Sequence, residues 1–331
     1  MAGNAVAVDV ATAERSTLEL EPYLGEITGY CYRMLGSVFD ADDAAQETML
    51  RAWRAAPAFQ SRSTTRWWLY RIATNVCIDA LRGRKRREWP MALGPRSTFD
   101  EAIHISQQAE RLWLLPLPDA RLDPNKNPED VVVERDTVRL AFVAALQHLP
   151  ARQRAVLLLR DVVRLRASEV AQMLETSIAA VNSAHQRARA TLASCDLGEP
   201  DARALGTAER RLLADYVGAF ERYDIAALVS LLHEDAVTSM PPYPMWLQGA
   251  TELGRWMQGP GRECLGSRLL PTAANGCGAF GQYRPHGRGF RPWSLQVIEI
   301  SGTAISSIHY FLDTRVFRAF GLPDHLGSPT D

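Results

Sequence analysis

The sequence predicts a multi-domain chain: two all-α units, the second built around a helix-turn-helix, followed by an α+β domain. Three observations carry that expectation. Apolar residues recur at helical spacing in three early segments. Two short amphipathic segments flank a turn near Glu175. Past Arg268 the apolar period becomes that of strands, with Asn-Gly and Ser-Gly dipeptides between the runs. Helices that precede a strand meander indicate an α+β unit. At 331 residues and 47% apolar content the chain can bury more than one core. No stretch approaches the roughly 18 consecutive apolar residues of a membrane span, and no basic-then-apolar leader opens the chain, so a cytoplasmic protein with no membrane contact is expected. The five cysteines (Cys31, Cys77, Cys195, Cys264, Cys277) form no C-x-x-C pair and have no histidine at zinc spacing. They read as reduced and mostly buried, and neither metal nor cofactor is expected.

The first helix passes through Leu18, Leu24, Ile27, Tyr30, Cys31, Met34 and Leu35 and stops at Gly36. A second is expected over residues 40–53 with Asp40 or Asp42 as its cap. A third covers 66–81, with Trp68, Leu69, Ile72, Val76 and Leu81 on its apolar face, and the polar segment 59–65 between them reads as a loop. Pro90, Pro95, Pro116, Pro118, Pro124 and Pro128 mark a weakly periodic linker with one short helix over 103–113. Helices resume over 137–146 and 151–163. The expected divisions are 18–90, a linker 91–135, 136–196 and 205–322.

Charge is segregated within a formal net of -1. Residues 14–47 hold eight acids and two arginines, whereas 49–87 hold ten basic residues and one acid, Asp79. Arg82, Arg84, Lys85, Arg86 and Arg87 form one run, and Trp53, Phe59, Trp67, Trp68 and Tyr70 are interleaved with the cations. Cations attract phosphate, and aromatic rings stack on unpaired bases. A solvated charged face is the alternative reading of such a run.

Residues 167–174 form a short helix capped by Ser168, residues 175–177 a turn, and 178–192 a second helix, which is helix-turn-helix spacing. Ile178, Val181, Ala188 and Leu192 make one stripe of the second helix. Ser177, Ala180, Asn182, Ser183, Gln186, Arg187 and Arg189 face away. Asn and Gln suit adenine edges, Arg suits guanine or phosphate, and Ala and Ser permit close approach to a major groove. Seven arginines against three acids over 150–190 agree with that use; two helices that merely pack together are the alternative.

The segments Asp42-Asp-Ala-Ala-Gln-Glu-Thr-Met-Leu-Arg-Ala-Trp53 and Trp68-Leu-Tyr-Arg-Ile-Ala-Thr-Asn-Val-Cys-Ile-Asp-Ala-Leu-Arg82 resemble region 2 of the extracytoplasmic-function (group 4) sigma factors, relatives of sigma-70. Leu149-Pro-Ala-Arg-Gln-Arg-Ala-Val-Leu157 through Val181-Asn-Ser-Ala-His-Gln-Arg-Ala-Arg189 resembles their region 4. The resemblance covers about 18–90 and 136–195, in the family's order. It implies that the second helix docks on core RNA polymerase through Asp43, Gln46, Glu47 and Leu50. It also implies that 59–66, with Phe59, Ser61, Arg66 and Trp67 nearby, captures a base flipped from the minus-ten element of promoter DNA. Extracting that base costs a few kcal/mol, which a stacking pocket offsets. Asn75 and Asp79 would read the same element while Arg71, Arg82, Arg84 and Lys85 hold phosphates, and Ser177 to Arg189 would enter the major groove of the minus-thirty-five element. Two departures stand out: Glu175 occupies a turn position where Gly is common, and His185 falls on the apolar stripe, where a buried, hydrogen-bonded histidine is expected.

After Pro200 the expected order is helices at 207–220, 225–232 and 249–257, then strands at 268–274, 277–283, 290–300 and 303–312. With Met240-Pro-Pro-Tyr-Pro-Met-Trp-Leu-Gln-Gly249, this resembles the SnoaL/NTF2-like cone carried by some extended sigma factors, and Trp113-Leu-Leu-Pro-Leu-Pro-Asp119 resembles a linker motif of those members. His233, Asp235, His309 and Asp313 are the only candidates for acid-base chemistry, and no spacing among them specifies a dyad, so no catalytic residue and no enzymatic activity is expected. Trp246, Trp256, Tyr283, Trp293, His309 and Phe311 are candidates to line a ligand pocket in the cone. Its close tether suggests regulation of the sigma regions in cis. An anti-sigma protein or a small ligand of the cone are further candidate partners. The competing reading is a ligand-responsive helix-turn-helix regulator that does not act through polymerase.

Overall fold

The computed structural model describes residues 19–56, 64–108, 110–122, 136–195 and 206–327, so the base-capture candidates Phe59 and Ser61 lie outside the described residues. A 3-10 turn at Glu21–Tyr23 leads into α1 (Leu24–Leu35), which ends at left-handed Gly36 (φ 70°). The next helix, α2 (Val38–Ala55), starts earlier than its acids suggested. Ser37 is its cap, with Oγ accepting the Asp40 N–H at 3.4 Å, and the Asp40 carboxylate is taken by Arg84 and Arg87 instead. Thr64 caps α3 (Thr65–Leu81) in the same way.

The inter-unit segment differs from the expected linker helix. A helix of four residues, α4 (Phe99–Ala102), forms upstream of 103–113, where Thr98 and Glu101 cap each other. It is followed by irregular chain in which Ile103 and Leu112 are exposed, whereas Trp113, Leu114, Leu115 and Leu117 all lie in the core.

Then come α5 (Leu140–Leu146) and α6 (Ala151–Leu157), the latter widening into a π turn at Leu158–Val162 where one continuous helix was expected. The helix pair is α7 (Ala167–Met173) and α8 (Ile178–Ala193). Ser168 lies inside α7 and does not cap it; the Glu169 carboxylate accepts the Arg166 N–H at 2.7 Å and ties the helix start instead. Glu175 takes the left-handed conformation (φ 50°) that Gly would adopt freely.

The C-terminal unit is α+β, with the cone architecture expected. Helices α9 (Thr207–Arg222), α10 (Ile225–Ser230) and α11 (Ala250–Gln258) cover one face of a six-stranded sheet. Its strands are β1 (Leu232–Ser239), β2 (Trp246–Gln248), β3 (Arg268–Ala274), β4 (Cys277–His286), β5 (Gly289–Ser301) and β6 (Ala304–Phe311), in the order β2-β1-β6-β5-β4-β3. Only β1 and β6 pair in parallel. The last four strands are the expected meander; β1 and β2 fall outside the expected strands, and β1 begins at Leu232, the last residue of an expected helix. A final helix, α12 (Val316–Ala319), closes the domain.

Strand alternation gives the sheet two cores. Ile298, Ile308 and Tyr310 face α9 and α11 together with Tyr216, Phe220 and Met257. Leu295, Val297 and Phe311 face the other way and join one continuous core with α1, α3, α5 and α6.

Candidate nucleic-acid interface

On α2, residues 43, 46, 47 and 50 follow i, i+3, i+4, i+7 spacing and fall on one side. Asp43 and Gln46 are exposed, Glu47 holds Arg51 at 2.7 Å, and Leu50 is 45% exposed. Trp53 continues that side at 71% exposure. Sequence reasoning counts it only among the aromatics interleaved with the cations; its helical spacing from Leu50 is the signal that places it on this side.

On α3, Asn75 and Asp79 are exposed one turn apart, and Arg82 pairs with Asp79 at 3.3 Å. Arg66 is forked onto Glu26, which also accepts the Tyr70 hydroxyl at 2.8 Å, and Trp67 is half-buried. Arg84 reaches Asp40 at 3.2 Å while Lys85 is exposed. The basic run is therefore not uniform. Arg87 is mostly buried between Asp40 (2.6 Å) and the Trp113 carbonyl (2.7 Å), and it staples the chain after α3 to α2.

On α8, Ala180, Asn182, Ser183, Gln186, Arg187 and Arg189 are exposed together. Ser177 caps the helix, its Oγ accepting the Ala180 N–H at 3.1 Å. Val181, Ala188 and Leu192 are buried as expected, but Ile178 is 50% exposed: it stands in the first turn, where the stripe has already left the core. His185 is half-buried, with Nε2 2.7 Å from Asp161 Oδ1.

The two helical units touch through these same surfaces. Arg71 of α3 pairs with Glu175 of the α7–α8 turn at 3.1 Å. Behind it, Thr74 bonds to Tyr30 (2.8 Å) and packs toward Met173. Arg154 of α6 is buried with no carboxylate partner among the described residues, and its guanidinium donates to the carbonyls of Met34, Gln147 and Leu149 and to Gln147 Oε1. Burial lowers its pKa to about 10.

Residues 20–87 match the sigma-70 region 2 family model and residues 139–192 match sigma-70 region 4. The chain is 46% identical over 314 residues to the ECF RNA polymerase sigma factor SigG of Mycobacterium tuberculosis, a match spanning 92% of this chain and 83% of that one. It belongs to the ECF RNA polymerase sigma factors. SigJ of the same species is 25% identical over 86% of both chains. The crystal structure of SigJ superposes with a TM-score of 0.58 at 20% identity, covering 91% of this sigma factor and 98% of SigJ, which shows a shared fold over that part of the chain. SigW of Bacillus subtilis, at 30% identity, matches 51% of this chain and 82% of its own. Among the described residues no helix is long and apolar enough to cross a membrane.

In this sigma factor the cone grips the other units at several places, among them Arg315 over the Phe39 ring of α2 and three larger contacts. Along the linker, Ser97 N–H donates to the Trp246 carbonyl (2.9 Å), Phe99 N–H to Glu252 (2.6 Å) and Gln108 N–H to the Pro242 carbonyl (2.9 Å). Arg255 pairs with Asp100 (3.0 Å) and lies over Phe99, and Ala102 enters the inner core of the cone. On the outer sheet face, Trp89 packs against His309 (ring centroids 4.8 Å apart) and Phe311 (5.9 Å).

The third grip is the two-residue turn Asn275-Gly276 between β3 and β4, left-handed at both positions (φ 55° and 77°). Fully buried Asn275 donates from Nδ2 to Tyr32 Oη (2.7 Å) and the Val138 carbonyl (2.6 Å), and its Oδ1 accepts the Leu117 N–H (2.9 Å). Its own N–H donates to the Leu117 carbonyl, and the Gly276 N–H donates to Asp119 Oδ1 (2.9 Å). One turn thus joins α1, the linker and the start of the second helical unit.

The six expected pocket residues do not come together. The cavity in the cone is lined by Tyr216, Phe220, Leu228, Leu253, Met257 and Tyr310 among others, and by none of the six. The reason is strand parity: His309 and Phe311 point outward toward Trp89, and their neighbour Tyr310 points inward. Tyr283 is buried outside with its hydroxyl on the Pro323 carbonyl, Trp293 stacks under Arg284 at 3.4 Å, and Trp246 donates to the Gly94 carbonyl. Trp256 belongs to the inner core without lining the cavity. The four acid-base candidates are likewise dispersed. Buried His309 accepts or donates at Ser239 (2.8 Å), Asp313 holds Arg315, and His233 bonds to the Asp235 backbone.

Proposed function

We propose that this sigma factor binds core RNA polymerase through the exposed face of α2 and reads promoter DNA with α3 and α8, and that its cone restrains those surfaces in cis. Asp43, Gln46, Glu47, Leu50 and Trp53 form the polymerase-facing patch. Asn75 and Asp79 read the minus-ten element beside Arg66, Trp67, Arg71, Arg82, Arg84 and Lys85, with Phe59 and Ser61 in the adjoining loop. Ser177 to Arg189 reads the minus-thirty-five element. Residues 18–90, 136–196 and 205–322 act as three units linked by 91–135. The protein works in the cytoplasm and carries out no catalysis of its own; the dispersal of His233, Asp235, His309 and Asp313 supports that reading.

The observation that carries restraint in cis is the Asn275-Gly276 turn, whose hydrogen bonds engage both helical units and the linker at once. Two elements about 25 base pairs apart on a duplex are separated by roughly 85 Å at 3.4 Å per step. A chain whose α3 touches the α7–α8 turn through Arg71 and Glu175 cannot span them, so initiation requires opening. The test is run-off transcription with core polymerase, comparing the intact chain with Asn275→Ala. Stronger initiation by the variant is expected. Equal activity refutes restraint by the cone, and no initiation by either form refutes the promoter-reading assignment.

A further inference from the structure

Asn275-Gly276 is the single Asn-Gly dipeptide of the chain. An asparagine followed by glycine is chemically the most labile arrangement of its side chain, because no Cβ shields the following backbone nitrogen. We propose that Asn275 is a conformation-gated deamidation site whose conversion to aspartate or isoaspartate prevents the hairpin from docking again and so fixes the chain in its open form. This proposal rests on the reading that the cone docks and undocks.

The reaction needs no oxidant and no cofactor. The Gly276 backbone nitrogen, having lost its proton to solvent base, attacks Asn275 Cγ. A new N–Cγ bond forms, the Cγ–Nδ2 bond breaks, and Nδ2 leaves as ammonia after taking up a proton. Water then opens the resulting succinimide at either carbonyl. Cleavage of the new bond gives aspartate, and cleavage of the original peptide bond gives isoaspartate, with the chain rerouted through the side-chain carbonyl.

The docked geometry opposes every step. The Asn275 carboxamide is held on three sides by Tyr32, Val138 and Leu117, so Cγ cannot turn toward the Gly276 nitrogen. The Gly276 N–H is itself engaged by Asp119, and with Asn275 fully buried the water needed for the second step is excluded. Undocking removes all three restraints together.

The product cannot return to the same seat. Nδ2 donates to the Val138 carbonyl at 2.6 Å, and a carboxylate would set two acceptors against each other there. Its charge would be buried close to that of Asp119, which already sits 2.9 Å from the Gly276 nitrogen. Isoaspartate also inserts an extra backbone carbon into a two-residue turn whose register depends on both left-handed residues.

The experiment incubates the full-length chain at mildly alkaline pH and follows the Asn275 peptide by mass spectrometry, with isoaspartate quantified separately. It is run for the native chain, the chain in urea, and Tyr32→Phe, which removes one partner of Nδ2 while filling the same space. Deamidation at least about tenfold slower in the native chain than in urea is expected, since only opened molecules react. Tyr32→Phe is expected to react about fivefold faster than the native chain, the effect of one lost hydrogen bond. Equal rates in the native and urea samples overturn the gate. Asn275→Asp, which presents the product directly, is expected to show a larger radius in solution scattering and faster proteolysis between residues 88 and 135; a compact, protected Asn275→Asp chain overturns the latch. No arm contains polymerase, so the outcome is separable from whether the open chain directs transcription.

Discussion

Replacing Arg154 by Met tests whether the two helical units are held together by a buried cation. The guanidinium is 4% exposed and satisfies four acceptors: the carbonyls of Met34, Gln147 and Leu149, and Gln147 Oε1. Met fills similar volume and leaves those acceptors dry, at about 1–3 kcal/mol for each one that finds no water. Against that stands the recovered cost of desolvating a charge that has no anionic partner among the described residues, so the gross figure does not survive intact. With only part of the acceptor set left without water, a net loss of about 2–4 kcal/mol is expected. It is a large share of the roughly 5–15 kcal/mol that holds a domain folded. Lys is expected to recover only part of the loss, because a point charge cannot fork to carbonyls on α1 and on the turn before α6 together. The assay is urea unfolding of the full chain followed by far-ultraviolet circular dichroism, with hydrogen exchange at the Leu149 and Gln147 region as a local readout. A change below about 1 kcal/mol with unaltered exchange would refute the argument that this cation joins the units.

Three further outcomes are expected. Trp53→Ala and Leu50→Ala together should weaken binding to core polymerase at least tenfold with little change in melting temperature, since both side chains are largely exposed; a competition assay against the parent protein checks this. Burial lowers the His309 pKa, despite the opposing pull of Glu299, so the docked form takes up a proton less readily than the undocked one. Stability of the docked form should therefore fall as pH drops below about 6.5, the ordinary histidine value, and His309→Gln should flatten that dependence in pH-resolved unfolding. Ser177→Ala should cost about 1 kcal/mol by removing the α8 cap, and duplex binding by the variant should fall only in proportion to lost folding if the hydroxyl touches no base.

Much of this architecture is visible in local pattern. The apolar spacing that marks α1, α3 and α8 arises because each helix buries one stripe, and the Asn-Gly and Ser-Gly turns mark the meander because few residues tolerate left-handed backbone. The exposed faces of α2 and α8 are legible for the same reason, being what the stripes leave over. Features that depend on distant partners are not legible. Strand β1 opens with Leu232, His233, Glu234 and Asp235 and acquires its identity by pairing in parallel with β6, some 70 residues later. The linker has no period, yet Leu114 and Leu117 are fully buried because the cone and α1 meet over them. In the sequence Arg66, at the end of the base-capture segment, and Arg84, among the phosphate ligands, carry no sign of Glu26 and Asp40, which pair with them from 40 and 44 residues away. His309 and Phe311 stand one strand position from the cavity-lining Tyr310, which is enough to put their side chains on the opposite face.

The linker strap has a consequence in time. Ribosomes emit roughly 5–20 residues per second, and the turn that seals the linker lies about 150 residues beyond Leu117 and Asp119. The end of α8 at Ala193 precedes that turn by about 80 residues, so each newly made molecule spends roughly 4–16 seconds with both promoter-reading helices synthesised and no turn to hold them. Closure is a late event in the life of the chain, and a rise in synthesis raises the number of molecules passing through that unrestrained interval before any signal acts on the finished protein.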